Sequence, residues 1–258
     1  MNLDSLRAAF LAGKPYVERD GNELILQFGP TSIQSQLNPD EPDRLLLGYT
    51  RTLLGFLLFV PQPQQVTMIG LGGGALPTWC YRHFPAMRID VVEINPDVIA
   101  LRDTFRVPAD DQRFAVHCAD GADYIAALRR QQDVIIVDGF DVGGQAPTLC
   151  TETFYRDCHA ALAAGGVMAV NLSENAKQHA GFIKRMQRVF GSDHVIVVKA
   201  EACTNKVVFA LKPAAGDGEG FSQKVLLSRA AQLDKLYPVA FRQIVERMAM
   251  NHHNPLED

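Results

Sequence analysis

The chain carries no surplus of positive charge. Its 258 residues hold 25 Lys and Arg against 29 Asp and Glu, a formal net charge of -4. A general nucleic-acid or membrane-surface binder needs a basic patch to neutralise phosphate, so this balance argues against both. Paired cysteines are missing too. Cys80, Cys118, Cys150, Cys158 and Cys203 are dispersed, odd in number and without a Cys-x-x-Cys pair. They read as reduced thiols of a cytoplasmic protein, serving as small apolar residues rather than as ligands. Met1-Asn2-Leu3-Asp4-Ser5 lacks the cationic and apolar regions of a secretory signal. The most apolar stretch, Leu45 to Val60, is short of a bilayer span and carries Arg51, so no transmembrane segment is expected. Internal repeats are absent. His252 and His253 are adjacent near the end of the chain, point apart on a helix and have no cysteine nearby; they read as tail, and no metal is expected.

What the chain does have is core material. Hydrophobic residues make up 47%, and the length suits one α/β domain with a small appendage. Leu3 to Leu11 has helical spacing, stopped by Gly13 and Pro15. Two or three short strands follow, including Glu23 to Phe28 after the Asp20-Gly21-Asn22 turn and Thr31 to Leu37 after Gly29-Pro30. A polar loop, Asn38 to Pro42, leads into a long apolar helix expected over Asp43 to Phe59, ended by Pro61 and Pro63.

From Gln64 strand and helix alternate. Strands are expected near 65–70, 88–93, 113–117, 133–138, 166–171, 193–199 and 203–211, with helices near 75–84, 96–105, 121–130, 151–163 and 176–190. Such alternation gives an α/β fold with a doubly wound, mostly parallel seven-stranded sheet covered on both faces. The last two strands leave no room for a helix between them, so they form an antiparallel pair, an arrangement typical of methyltransferase-like sheets. Pro213 to Gly220 is a linker, and helices are expected over Phe221 to Leu236 and Val239 to Met250. The organisation is therefore a lead-in over 1–62, a nucleoside-binding domain over 63–213 and C-terminal helices over 214–258.

The central stretch is Val66 to Leu76, an apolar run that ends in Gly70-Leu71-Gly72-Gly73-Gly74 before a helical pattern. Glycines there let the chain turn sharply and let a ligand lie against bare main chain; the same turn also occurs for packing alone. Gly70, Gly72 and Gly74 are the candidates for main-chain contact. A second strand ends in Glu93, about 20 residues on, where nucleoside-binding folds place a carboxylate for ribose hydroxyls. The turn by itself does not separate a dinucleotide from an adenosylmethionine-type ligand. Two more strand ends are polar. Asp120 precedes the helix that begins at Gly121, as a cap or as an acceptor for the adenine amine. Asp138 and Asp141 flank Gly139-Phe140, as turn formers or as carboxylates that hold and deprotonate an amine.

Four segments together resemble the spermidine synthase (polyamine aminopropyltransferase) family: Ile69 to Gly74, Val92-Glu93-Ile94-Asn95-Pro96, Ala119-Asp120-Gly121, and Asp133 to Asp141. The small β element with Ile33-Gln34 and the helix after it resemble that family's lead-in, and the likeness covers roughly residues 16 to 211. It implies decarboxylated S-adenosylmethionine as donor substrate, with S-adenosylmethionine the alternative. It implies Glu93 on the ribose, Asp120 and Gly121 on adenine, Gln34 lining the donor pocket, Asp138 near the aminopropyl amine and Asp141 as base on the attacking amine. A small-molecule amine acceptor and a homodimer are implied too. The chain departs from the family at Gly73, where an aspartate is usual, at Leu47-Gly48 in place of a Tyr-His pair, at Asn171 for a glutamine, in the lid Asp141 to Pro147, and in Ala202 to Lys206 for a Tyr-Pro turn. A methyltransferase acting on a small acceptor, and a non-catalytic homologue, remain as alternative readings.

Overall fold

The computed structural model describes residues 14–28, 33–129, 131–141, 144–173, 176–214 and 222–251. The helix expected over Leu3 to Leu11 and the His252-His253 pair lie outside the described residues.

A three-stranded antiparallel sheet opens the described chain: β1 (Tyr16–Asp20), β2 (Glu23–Gln27) and β3 (Ile33–Leu37), in that spatial order. The lead-in helix follows, but it is shorter than its apolar pattern suggests. α1 runs Gly48–Leu53 and tightens into a 3-10 turn over Leu54–Leu58, where the Asp43–Phe59 reading expected one helix. Leu47 is extended, at φ -81° and ψ 129°, and the Arg51 guanidinium takes the Leu45 and Leu46 carbonyls that a longer helix would have consumed internally. Side-chain capture of backbone acceptors competes with helix here.

The main sheet is built from β4 (Gln65–Ile69), β5 (Arg88–Glu93), β6 (Phe114–Cys118), β7 (Gln132–Val137), β10 (Leu162–Leu172), β11 (Val195–Lys199) and β12 (Lys206–Leu211), with a two-stranded ribbon, β8 (Phe140–Asp141) and β9 (Gly144–Gln145), after β7. The seven strands lie in the order β11-β12-β10-β7-β4-β5-β6. All neighbours pair parallel except β12, which is antiparallel to both β10 and β11. This is the doubly wound sheet with a closing hairpin expected from the sequence. The chain runs outward from β4 through β5 to β6, then returns to β7 beside β4. The β4/β7 boundary is therefore the switch point, and a crevice opens beyond those two carboxyl ends.

Helices cover both faces. On one lie α1, α2 (Ala75–His83) and the C-terminal α7 (Gln223–Leu236) and α8 (Phe241–Asn251); Val66, Met68, Ile136 and Phe209 meet Leu53, Trp79, Leu226 and Val245 there. On the other, Ile135, Val137 and Met168 pack against Ile125 of α4 (Gly121–Ala127), Phe154 of α5 (Glu152–Ala161) and Ile183 of α6 (Ala176–Phe190). Alternate strand residues thus face opposite clusters, as the two-residue period of a strand requires. The helix expected over 96–105 is a single turn, α3 (Pro96–Ile99), capped by Asn95. Beyond it the chain winds through turns closed by Phe105 N to Leu101 O and Val107 N to Arg102 O, with Arg106 left-handed at φ 54°.

Candidate functional site

The crevice at the switch point has a volume of about 1220 Å³, sized for a nucleoside with a further group attached. Its floor is the glycine turn. Gly70 donates its N–H to the Val92 carbonyl at 2.8 Å and has φ +96°. A side chain there would collide with the Asp138 carbonyl, so the two strand ends approach closely only because residue 70 is glycine. Gly72, at φ +52°, faces Ser35 and also lines the crevice. Gly74 is not on its wall: left-handed at φ 68°, it caps α2, with Val107 filling the space a side chain would need. Gly73 likewise packs against Phe105 and the Ser35 hydroxyl.

Glu93 ends β5 on the crevice wall. One carboxylate oxygen accepts from Leu71 N at 2.9 Å and the other from Asn95 N at 2.9 Å. Two backbone donors fix the carboxylate beside the glycine turn and leave lone pairs on both oxygens for a vicinal diol. Asp120 caps α4, its Oδ1 accepting from Ala122 N at 2.7 Å and Asp123 N at 3.2 Å. Its second oxygen makes neither cap bond. Gly121 is buried behind it, hemmed in by Ile69 and Leu149. Exposed Ile94 lies at the rim.

At the far end sits Asp138, after β7. Its Oδ1 accepts from Asn171 Nδ2 at 2.7 Å, and Asn171 Oδ1 accepts in turn from Asn205 Nδ2 at 3.0 Å. The Tyr49 hydroxyl hydrogen-bonds the same carboxyl and also reaches the Gln34 carbonyl at 3.3 Å. Burial is the main influence on Asp138 and pushes its pKa up to about 6; the Asn171 and Tyr49 hydrogen bonds pull it down, and the negative Glu93 adds a little upward. Burial and the adjacent Asp138 charge raise the Tyr49 phenol well above its ordinary range.

The crevice thus brings together Gln34, Gly70, Gly72, Glu93, Asp120, Gly121 and Asp138 from among the residues singled out by sequence. The Asp141 side chain, the other carboxylate expected at this end, lies outside the described residues; its backbone pairs with Gly144 in the β8–β9 ribbon. Sequence pattern does not single out Tyr49: it stands two positions after Leu47, where the family's Tyr-His pair is matched, and its hydroxyl bond to Asp138 joins residues far apart in sequence. Asn205 stands in sequence only as part of the Ala202 to Lys206 turn. Three carboxylates, Glu93, Asp120 and Asp138, line the crevice, and among the described residues no Lys, Arg or His does. Among the described residues no three His, Cys, Asp or Glu side chains group as a metal site.

Comparison with known proteins agrees with this geometry. The family model for the spermine/spermidine synthase domain matches residues 46–209. A polyamine aminopropyltransferase of Neisseria meningitidis is 35% identical over 242 residues, covering 92% of this chain and 90% of the relative. Among solved structures, human methyltransferase-like protein 13 in complex with SAH superposes with a TM-score of 0.63 at 25% identity, over 73% of this chain and 91% of that one. A probable spermidine synthase from Corynebacterium glutamicum gives a TM-score of 0.69 at 19% identity, over 84% and 83%. Its low identity speaks for the shared fold alone. With a model match over more than half its length and a full-length relative at 35% identity, the chain belongs to the spermine/spermidine synthase family.

Proposed function

We propose that this protein is a polyamine aminopropyltransferase that uses decarboxylated S-adenosylmethionine as donor and a small amine as acceptor. The observation that carries the reading is the charge of the crevice wall, three carboxylates and no described cationic side chain. The decarboxylated donor brings a sulfonium and an ammonium, and the acceptor brings more positive charge. A low-dielectric crevice with negative walls concentrates such molecules. A carboxylated donor would set its own anion in the same field.

In this reading the nucleoside lies over Gly70 and Gly72. Glu93 holds the ribose diol, the free oxygen of Asp120 and the Gly121 segment meet adenine, and Gln34 lines the donor pocket. Asp138 meets the reacting amine end, and Asp141 serves as base on the acceptor. The acceptor nitrogen attacks the methylene carbon beside sulfur. The carbon–sulfur bond breaks, its electron pair stays on sulfur as a neutral thioether, and the new ammonium gives its proton to a carboxylate. The leaving group is already activated, so the catalytic task is alignment of nitrogen, carbon and sulfur, with the acceptor amine freed of its proton. A homodimer belongs to the same reading, supported by the small sheet with Ile33 about half exposed (49%) on edge strand β3, and light scattering tests it. A cytoplasmic setting fits the free state of all five cysteines; among the described residues no helix is long and apolar enough to cross a membrane.

Incubation with decarboxylated S-adenosylmethionine and putrescine, followed by mass spectrometry, tests the activity. Spermidine and methylthioadenosine are the expected products; no spermidine there, with a methylated amine formed in a parallel incubation with S-adenosylmethionine, would favour the second reading, which the likeness to methyltransferase-like protein 13 keeps in view.

A further inference from the structure

The turn between β11 and β12, Ala200 to Asn205, forms part of the crevice wall through Cys203 and Asn205. Its backbone is not relaxed. Ala202 is left-handed at φ 54°, a conformation that costs a non-glycine residue about 1 kcal/mol and persists only where the surroundings hold it. What holds it lies on α1. Arg51 meets Glu201 as a fork, Nε to Oε2 and Nη2 to Oε1, both at 3.0 Å. The remaining nitrogen, Nη1, donates to the Leu45 and Leu46 carbonyls. The Glu201 N–H donates to Thr52 Oγ1 at 3.1 Å, and any side chain at Gly48 would strike the Glu201 carbonyl. Arg247 of α8 also faces Glu201 and Arg51. The pair is largely shielded, with 21% and 33% of the two side chains exposed, and a two-pronged pair of this kind is stiffer than a surface contact.

Neither side chain lines the crevice, yet the elements the pair joins both act on Asp138, one directly and one through Asn171 of β10. Tyr49 arrives from α1. Asn205 arrives from the turn and acts through Asn171. We propose that Arg51 and Glu201 are a positioning pair for the transfer reaction: their forked ion pair pins the β11–β12 turn onto α1 and so sets Tyr49 and the Asn205–Asn171 relay on Asp138. The proposal rests on the aminopropyl-transfer reading for its kinetic consequence, though not for its geometry.

Glu201→Gln keeps the shape and removes the charge. It is expected to lower kcat about tenfold, the scale of one charged hydrogen bond. KM for the nucleoside donor should stay near wild type, because the Glu93 and Asp120 contacts are untouched. The acid limb of the kcat profile should move upward, since Asp138 loses donors that favour its ionised form while Glu93 and Tyr49 still face it. Arg51→Lys keeps the charge without the fork and should shift both quantities less in the same direction. Arg51→Met with Glu201→Gln should cost no more than either change alone, as expected of residues acting as one unit. Single variants with wild-type kcat and an unmoved acid limb overturn the proposal. So does a loss of turnover matched by an equal loss of nucleoside affinity with the limb unmoved. If the wild-type protein transfers no aminopropyl group, the functional reading fails and the pair is judged by carbon-13 titration of the Asp138 carboxyl, assigned with Asp138→Asn. A higher midpoint in Glu201→Gln upholds the positioning role; an unchanged one overturns it.

Discussion

The Asn171 side-chain amide donates to Asp138 at 2.7 Å and accepts from Asn205 at 3.0 Å, so the carboxyl at the end of β7 terminates a relay that begins in the β11–β12 turn. That relation explains how a carboxylate is kept in a desolvated crevice. Burial opposes its charge, and two neutral donors, Asn171 of β10 and Tyr49 of α1, offset part of the cost, with Asn205 holding Asn171 in place.

The compromise leaves a stability signature. The Asp138 pKa stands at about 6 against an ordinary 3.8, so the folded protein binds this proton more readily than the unfolded chain. Native stability therefore falls as pH rises through that window, and the loss is complete above it. Asp138→Asn removes the ionising group. At neutral pH the variant without ligand should melt a few degrees above wild type, while its turnover falls by about 100-fold or more. The melting difference should shrink as pH drops below the ordinary carboxylate range. Scanning calorimetry across pH checks it, and a variant that melts below wild type at neutral pH contradicts it.

Glu93 is held by two backbone donors and faces the ribose position in the proposed complex. Glu93→Gln leaves one of those N–H groups without its acceptor and removes the charge. Affinity for methylthioadenosine should fall about 10- to 100-fold, the scale of a hydrogen bond to a charged group. Isothermal calorimetry measures it; binding within twofold of wild type would place the diol elsewhere.

Two glycines make a paired test of the crevice floor. Gly70→Ala forces a side chain against the Asp138 carbonyl at φ +96°, and urea denaturation should show a loss of about 2 kcal/mol or more, together with loss of nucleoside binding. Gly181 in α6 has nothing within 4 Å of an added Cβ. Gly181→Ala should be neutral or stabilising by up to about 1 kcal/mol, with binding unchanged. Equal behaviour of the two variants would remove the special role of residue 70.

Much of this architecture is legible in the sequence because it is written in short local patterns. The Gly70-x-Gly72 turn, Glu93 at the end of its strand and Asp120 ahead of its helix each sit within a few residues of the element they terminate. Alternation of apolar runs gave the sheet, and the gap too short for a helix between Lys199 and Lys206 gave the hairpin. The lead-in segment was harder. Apolar periodicity runs through Leu45 and Leu46, but their carbonyls go to Arg51 and not to the helix. The 96–105 segment also departs from its helical pattern: its turns are closed by bonds of mixed three-, four- and five-residue span, and Arg106 is left-handed. Tyr49 on Asp138 and Arg51 on Glu201 bridge about 90 and 150 positions. No local pattern encodes such contacts; only the folded sheet brings them together.

The central claim is that the crevice is built for a cationic thionucleoside donor. The most direct test is competition between donors in a single reaction, with decarboxylated S-adenosylmethionine and S-adenosylmethionine at equal concentration, putrescine as acceptor, and products read by mass spectrometry. Aminopropylated amine and methylthioadenosine, with no methylated amine, is the predicted result. Methylated amine and S-adenosylhomocysteine as the dominant products would contradict the account.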